Sequence, residues 1–450
     1  MALSGIQIYK LLPQTNCKEC GFPTCLAFAM KLAAKQVELA SCPYVSEDSK
    51  AQLVESSAPP IRLVSLRADG QEVKSGNEVV LYRHEKTFYN KPGLFLRLRD
   101  DRPPEEIRAA VAAAEAFAIT YVGMNLKLDG FAVEATLGDA GRFVSALTEV
   151  RRVSRLPLIL MAADPAVLAA GLSCLPGEAP LLYATTAAEW EQLAELARQH
   201  KAPLAVAAPT LEELAGLTEK VRACGVEDLV LVPTAHDLCS GLANATLIRR
   251  LAIKKNFRPL GFPVLVLAGE GNRAPWQEAI VATQAIAKYA GLIVLDHFIP
   301  ELLYPLLVLR QNIYTDPQKP IQVQPGLYEI NSPKPSDPLL VTTNFSITYF
   351  SVANEIEGSG LPAWLLVADA EGMSVLTAWA AGKFDADRIA KGVKQFNVAE
   401  KVSRKQIVLP GHVAVLSGEV EEALPGWEVR VGPREAVDIP AYMKKVLLAE

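Results

Sequence analysis

"PLAVAAPTLEELAGLTEKVRACGVEDLVLVPT", residues 203–234, contains one full unit of a repeating design: an apolar run, a helix with start and stop signals, and a second apolar run. "PLAVAAP" and "DLVLVPT" are short, continuous and rich in Val, Leu and Ala, as strands buried on both faces must be. Between them Thr210 stands where an N-cap belongs, Glu212 and Glu213 fall in the first turn, and Lys220 and Arg222 fall in the last. Strand, helix, strand in that order predicts parallel pairing through a crossover.

Outward from this unit the alternation continues. "LFLRL" at Leu94, "AITYVGM" at Tyr121, "LPLILMA" at Ile159, "PLLYATT" at Leu182, "PVLVLAG" at Val266 and "GLIVLDH" at Val294 complete a set of eight apolar runs. "DDRPPEEIRAAVAAAEAFA", "TTAAEWEQLAELARQH", "APWQEAIVATQAIAKYAG" and "ELLYPLLVLRQNIY" read as helices between or after them, by their Pro, Thr and acidic starts. Eight such units predict a (β/α)8 TIM barrel. "IRLVSLRA" and "NEVVLYRHE" ahead of the first unit predict a β-hairpin that closes the bottom of the barrel.

Two segments bound this region. "SEDSKAQLVESSAPPIRL" is polar, ends its polar stretch in Pro59 and Pro60, and reads as a linker; "DPQKPIQVQPGLYEINSPKPSDP", Asp316 to Pro338, is Pro-rich without helical periodicity and reads as a second break. The domains expected are therefore 1–58, 59–320 and 321–450, in keeping with a 450-residue chain too long for one core. In the last of these, "PLLVTTN", "AWLLVADA", "KQIVLPG" and "WEVRVGP" each precede a helical stretch, which predicts an open parallel α/β sheet of the Rossmann or flavodoxin-like kind. The whole chain is thus of the α/β class.

Half of the residues are hydrophobic and the formal net charge is -5, which argues against disorder and against nucleic acid as a partner. No apolar run is long enough for a membrane span and the N-terminus lacks signal-peptide features, so a cytoplasmic protein without membrane contact is expected. Thiols stay reduced there, and clustered cysteines point to metal. Cys17, Cys20, Cys25 and Cys42 follow CxxCx4Cx16C, with Pro43 after the last. Four thiolates without histidine suit an iron-sulfur cluster or zinc; because the second close pair of a zinc ribbon is missing, the spacing favours a [4Fe-4S] cluster. The helix "LAFAMKLAAKQVELAS" is expected to pack through Leu26, Met30, Ala33 and Val37, and Cys174, Cys224 and Cys239 are expected to be small buried residues.

The polar residues at the barrel's strand ends are Thr234, His236, Asp237, Glu270, Asn272, Arg273, Asp296 and His297, without the spacing of a metal motif or an activated nucleophile. "GEGNRA" after a strand reads as a tight turn, and "GSGLPA" at Gly358 as a helix C-cap. The strand ends of the last segment carry "TTNFS", "ADAEGMS", "LPGH" and "VGPRE", short loops rich in hydroxyls and backbone donors that could frame a large flat ligand or pack against another subunit.

An N-terminal "NCKECGFPTC" with a distant "SCPY", a central barrel, and "TTNFSITYF…ADAEGMSV…LPGHVAVLSGE" at the C-terminal end together resemble the large (gamma) subunits of the corrinoid iron-sulfur proteins of the acetyl-CoA synthase/carbon monoxide dehydrogenase pathway. That resemblance implies a methyl carrier, a methyltransferase component without a complete active site of its own. Its cobamide takes methyl on Co(I) from methyltetrahydrofolate through a separate methyltransferase, and gives it from methyl-Co(III) to acetyl-CoA synthase. It implies a heterodimer with the small subunit of the same protein, an electron donor such as ferredoxin, and a cluster on Cys17, Cys20, Cys25 and Cys42 that returns Co(II) to Co(I). Corrinoid contacts carry over to Thr343, Asn344, Ser346, Gly372, Met373, Ser374, Thr377, Gly411, His412 and Arg434. No DxHxxG motif occurs, so a base-off cobalt without a protein imidazole is expected, with His412 the alternative lower ligand. The rival reading is a ferredoxin-like electron-transfer subunit with the barrel and the C-terminal domain as scaffold.

Overall fold

A computed structural model describes residues 5–33, 36–46, 49–50, 53, 59–122, 124–184, 189–235, 237–315 and 321–447. The chain divides into two compact units, Met1–Phe117 with Lys127–Tyr314, and Ala118–Leu126 with Thr315–Glu450. Among the described residues no helix is long and apolar enough to cross a membrane.

The cysteine segment contains α1 (Gly5–Leu11) and α2 (Cys25–Ala33). Thr24 starts α2, its Oγ1 accepting the Ala27 N–H at 3.1 Å. Phe28 and Ala29 of α2 share a small core with Ile8, Leu12 and Val45. Half of the expected packing stripe is corrected here: Ala33 and Val37 pack against this core, but Leu26 and Met30 are exposed, and the buried residues of α2 are Cys25, Phe28 and Ala29. In a helix reading "CLAFAMKLA", apolar residues occupy every face, so their spacing cannot choose which one is buried. Most of the sequence between Cys42 and Pro59, read as a linker, lies outside the described residues.

The barrel follows. Hairpin strands β1 (Val64–Ala68) and β2 (Gln71–Ser75) precede β3 (Gly93–Arg99), α3 (Pro104–Ala116), β4 (Ile119–Tyr121), β5 (Met124–Leu126), β6 (Gly130–Glu134) and α4 (Ala140–Val153). Then come β7 (Leu158–Ala162), α5 (Pro165–Ser173), β8 (Leu181–Ala184), α6 (Trp190–His200), β9 (Leu204–Ala208), α7 (Leu211–Ala223), β10 (Leu229–Pro233), α8 (Leu238–Lys254), β11 (Val264–Leu267), α9 (Pro275–Ala287), β12 (Ala290–Leu295) and α10 (Pro300–Ile313). Strands β3 and β6 to β12 form a closed barrel of eight, parallel throughout, with β12 returning to β3. Helix α7 is capped as expected, Thr210 Oγ1 accepting the Glu213 N–H at 3.2 Å. The Thr cap expected for α6 lies outside the described residues. Val64 and Leu66 of the hairpin share the lumen core with Phe95, Ile159, Leu181 and Leu292, so β1 plugs the barrel end at which the strands begin.

The strand count matches the reading and one identity does not. "AITYVGM" forms the small antiparallel pair β4–β5 in the second unit, where Val122 is buried with Val323, Ile330 and Leu340. The barrel strand in that position is "GFAVE", β6. A period-2 apolar run reports a strand but not its sheet, and β6 is inconspicuous because it opens on a glycine. A Cβ on Gly130 would collide with both the Phe95 ring and the Pro157 carbonyl, so only glycine lets β6 lie against β3.

The hairpin is also shifted. "NEVVLYRHE" is irregular and the second hairpin strand is "QEVKS". Side chains take the groups a strand would offer to a neighbour: Arg249 donates to the Val80 carbonyl and to Glu78 at 3.0 Å, and its guanidinium stacks on Phe88 and Tyr289. The three isolated cysteines are exposed, a further correction. Cys174 and Cys224 cap the C-terminal ends of α5 and α7, and Cys239 lies in the first turn of α8.

The second unit adds β13 (Gly326–Ile330), β14 (Leu339–Thr343), α11 (Ser346–Ser359), β15 (Ala363–Ala368), α12 (Val375–Ala380), α13 (Ala386–Gln395), α14 (Val398–Lys401), β16 (Gln406–Leu409), α15 (Ser417–Ala423) and β17 (Glu428–Val431). The strand order is β13-β15-β14-β16-β17. Four strands are parallel, as expected, but β13 pairs antiparallel with β15, so the sheet is mixed and part of the Pro-rich break is its edge strand. Prolines are tolerated beside an edge strand because one side needs no partner. Gly360, with φ +70°, caps α11 as read.

Gly130→Ala is expected to lower stability by about 1–3 kcal/mol through overpacking at the β3–β6 contact, read as a lower midpoint in thermal or urea unfolding with helix content otherwise retained.

Candidate functional site

Three places concentrate chemistry-bearing groups: the four cysteines, the mouth of the barrel, and the carboxyl ends of the second unit's strands. Cys25 and Cys42 are buried in one small core, Cys20 packs against it, and Cys17 is exposed; all four are free thiols. The Asn16 N–H donates to Cys25 Sγ at 3.4 Å, and the Cys25 N–H donates to Asn16 Oδ1 at 2.8 Å. Tyr44 Oη donates to Glu19 Oε1 at 2.8 Å, tying the CxxC turn to the Cys42 segment. Glu19 holds the Tyr44 phenol above its ordinary pKa, by its hydrogen bond first and its charge second. Among the described residues no three His, Cys, Asp or Glu groups surround a point that a single ion could fill. Soft sulfur donors in an apolar pocket, with an N–H aimed at one of them, fit an iron-sulfur cluster.

At the barrel mouth the residues named from the sequence meet two further arginines. Arg97 is almost fully buried and binds Asp296 through two N–H···O bonds of 2.7 Å, with Glu270 at 3.1 Å and Glu134 at 3.5 Å. Arg99 reaches Glu134 at 3.2 Å and Asp296 at 3.0 Å. Burial works against the Arg97 charge, but Asp296 and Glu134 outweigh it and the guanidinium pKa is raised. A Cβ on Gly269 would collide with the Asp296 side chain, which explains the first glycine of "GEGNRA". His297 Nδ1 lies 2.5 Å from Glu278 Oε2. Asp237 caps α8 through the Ser240 N–H, and Thr234 Oγ1 donates to the Ala208 carbonyl. His236 lies outside the described residues. A cavity of about 380 Å³ opens beside Tyr183, Glu270 and Arg273; Glu270 pairs with Arg97, and Arg273 donates to the Ala268 carbonyl. Among the described residues there, no base stands poised against a nucleophile.

The second unit differs. Its strands in chain order β14, β15, β16, β17 lie as 2-1-3-4, so neighbours β14 and β16 form the switch point at which such sheets take ligands. They pair only at Leu339–Ile407 and Leu340–Val408, then separate. A crevice of about 310 Å³ opens at that divergence, lined by Thr342, Ile347, Ser374, Leu376, Pro410, His412 and Arg434 among others.

Three of the ten contacts named from the sequence, Ser374, His412 and Arg434, line this crevice. Ser346 begins α11, Thr377 accepts the Ser374 hydroxyl at 3.0 Å, and Met373 packs on the core beneath. Gly411 lies against Gly432 and Pro433, and Gly372 against Gln322. Asn344 is a brace: its Oδ1 accepts from the N–H groups of Ala370 and Gly372, and its Nδ2 donates to Gln322 and Asp369. Thr343 is buried with an unpartnered hydroxyl. His412 Nε2 stands 3.8 Å from Glu435.

The residue that sequence reasoning misses is Thr342. It is fully buried, its hydroxyl has no partner, and it lines the crevice. Its position two residues before Asn344 in an apolar strand is the available signal. Ile347 and Leu376 on the crevice wall are exposed apolar residues.

Known proteins are similar in sequence over nearly the whole chain. The family model for the CO dehydrogenase/acetyl-CoA synthase delta subunit matches residues 63–443, and an Fe-S cluster model matches residues 12–44. The chain is 45% identical over 444 residues to the corrinoid/iron-sulfur protein large subunit of Moorella thermoacetica, covering 99% of each chain. It is 35% identical to the acetyl-CoA decarbonylase/synthase complex subunit gamma of Methanopyrus kandleri, over 98% of each. A solved dihydropteroate synthase from Thermus thermophilus covers 56% of this chain and 100% of its own, at 18% identity and a TM-score of 0.39.

Burial first, and Glu270 second, push the Tyr183 phenol up to about 12 from 10.0. The unfolded chain therefore loses this proton first. Stability is unaffected by Tyr183 below pH 10 and falls as pH rises from 10 toward 12, by on the order of 1 kcal/mol per unit. Denaturant unfolding of wild type against Tyr183→Phe across that range should show the steeper loss in wild type.

Proposed function

This chain belongs to the CO dehydrogenase/acetyl-CoA synthase delta-subunit family, and from that premise we propose that it is the large subunit of a corrinoid iron-sulfur protein and acts as a methyl carrier. One observation carries the reading: the crevice at the β14–β16 divergence leaves a buried hydroxyl unpartnered, in a chain that also carries a four-cysteine module. When bound, a corrinoid supplies a cobalt centre that accepts and gives up a methyl group, and a [4Fe-4S] cluster supplies the electrons that keep that centre reactive.

The chain's own residues do the rest. Cys17, Cys20, Cys25 and Cys42 hold the cluster, two of them from inside the small core that keeps water away. Thr342, Ser374, His412 and Arg434 present polar groups to the edge of the corrinoid, while Ile347 and Leu376 cover its apolar parts. Asn344 keeps the loop from Asp369 to Gly372 in place. Thr343, Ser346, Gly372, Met373, Thr377 and Gly411 complete the proposed surroundings, and no protein imidazole is proposed as lower ligand, in keeping with the absence of DxHxxG.

The domains proposed are 1–58 for the cluster, 59–320 for the barrel and 321–450 for the corrinoid. The proposed partners are the small subunit, a methyltetrahydrofolate methyltransferase, acetyl-CoA synthase and a ferredoxin-type donor, in the cytoplasm. A barrel mouth whose charges are paired among themselves supports a scaffold role for the barrel.

Anaerobic purification with metal analysis tests this directly. The expected result is corrin absorption bands and cobalt to iron of about one to four. Iron without cobalt would leave only an electron-transfer subunit. Cys20→Ala is expected to lose most of the iron while keeping cobalt. Thr342→Val keeps the shape and removes the orphan hydroxyl, so the empty chain should unfold no earlier than wild type, whereas its affinity for added cobinamide should fall about tenfold, as for one lost hydrogen bond.

A further inference from the structure

Asn16 and Cys25 are joined by two reciprocal hydrogen bonds, and among the described residues no other hydrogen bond reaches a sulfur of the four cysteines. The Cys25 N–H is the first of α2 and has no acceptor within the helix, so Asn16 Oδ1, nine residues upstream, serves as its cap. The return bond runs from the Asn16 backbone N–H to Cys25 Sγ. Asn16 makes both at once because its backbone is left-handed, φ +49°, a conformation that asparagine adopts more readily than most residues. Gln14, Lys18 and Gly21 also have positive φ, so the chain coils tightly around this point.

We propose that Asn16 is a positioning residue that fixes its own N–H on the Cys25 sulfur and thereby raises the reduction potential of the cluster held there. The inference rests on the iron-sulfur reading above. An N–H dipole aimed at a ligand sulfur stabilises added negative charge, and the reduced cluster carries one electron more than the oxidised one, so the bond favours reduction. The side chain acts at a distance from the metal: without Oδ1 as an anchor, the segment can turn its N–H away from the sulfur while all four thiolates remain.

The full chain, prepared anaerobically, is compared as wild type, Asn16→Gly and Asn16→Asp. Gly keeps the left-handed backbone and the N–H but loses the anchor; Asp keeps an acceptor oxygen for the Cys25 N–H. Iron content, an EPR-monitored redox titration, and deuteron couplings to the reduced cluster after exchange into D2O are measured. Asn16→Gly is expected to keep its iron, lose one exchangeable coupling, and be reduced about tenfold less favourably, a potential about 59 mV lower for one electron. Asn16→Asp is expected to keep the coupling, whatever its added charge does to the potential. Absence of iron from the wild type would overturn the iron-sulfur reading itself. Full iron in Asn16→Gly with unchanged coupling and potential would overturn this inference alone. Should Asn16→Gly take up no iron, Asn16→Ser, with a shorter acceptor, replaces it: a lowered potential supports the role of Asn16, and wild-type coupling and potential defeat it.

Discussion

The barrel depends on β12 finding β3. Seven strand pairings can form between neighbours in sequence, but the eighth joins the first strand to the last across about 200 residues of chain, and its loop entropy must be recovered at the contact. Arg97 and Asp296 sit on that seam. One is in the first strand and the other follows the last, and their paired hydrogen bonds lie in a nearly dry site with Glu134 and Glu270 as further partners. A guanidinium buried with fewer partners would be costly to desolvate; with three carboxylates around it the charge is retained. Gly269 and Gly130 belong to the same constraint, since each leaves room where a Cβ would force the strands or the seam apart.

The same arithmetic of satisfied and unsatisfied groups applies in both units, and the barrel unit has buried orphan oxygens too, on Ser75, Asp100 and Glu115. At the mouth of the barrel, charges cancel locally, as in a structural network. At the end of the mixed sheet, β14 and β16 diverge after two paired residues, and Thr342 on the crevice wall keeps a buried hydroxyl without a partner. Buried polar groups are nearly always hydrogen-bonded, so an orphan in a cavity wall marks where a further molecule completes the structure.

Much was legible from the chain alone. Seven of the eight barrel strands, the Thr210 cap, the Gly360 cap and four parallel strands at the C-terminal end all follow from local patterns, because caps and buried strands carry their signature within a few residues. The errors share one cause. "AITYVGM" is a strand, yet it belongs to the other unit; "CLAFAMKLA" is a helix, yet it buries Phe28 rather than Met30; the Pro-rich break holds a strand because β15 offers it an edge. In the first two cases local chemistry named the element and a distant partner decided its use; in the third the partner strand made an element of a segment read as a break.

Most of the elements, their order and the close spacing of the four N-terminal cysteines are written into short stretches of chain, through helix periodicity, turn residues and cysteine motifs. Long-range contacts settled the rest: which strand closes the barrel, that Arg97 and Arg99 neutralise the residues at its mouth, and that Thr342 rather than Asn344 is left with an unanswered hydrogen bond. A hydrogen bond is satisfied or orphaned by whatever folding brings to it, and that neighbour can lie anywhere along the chain.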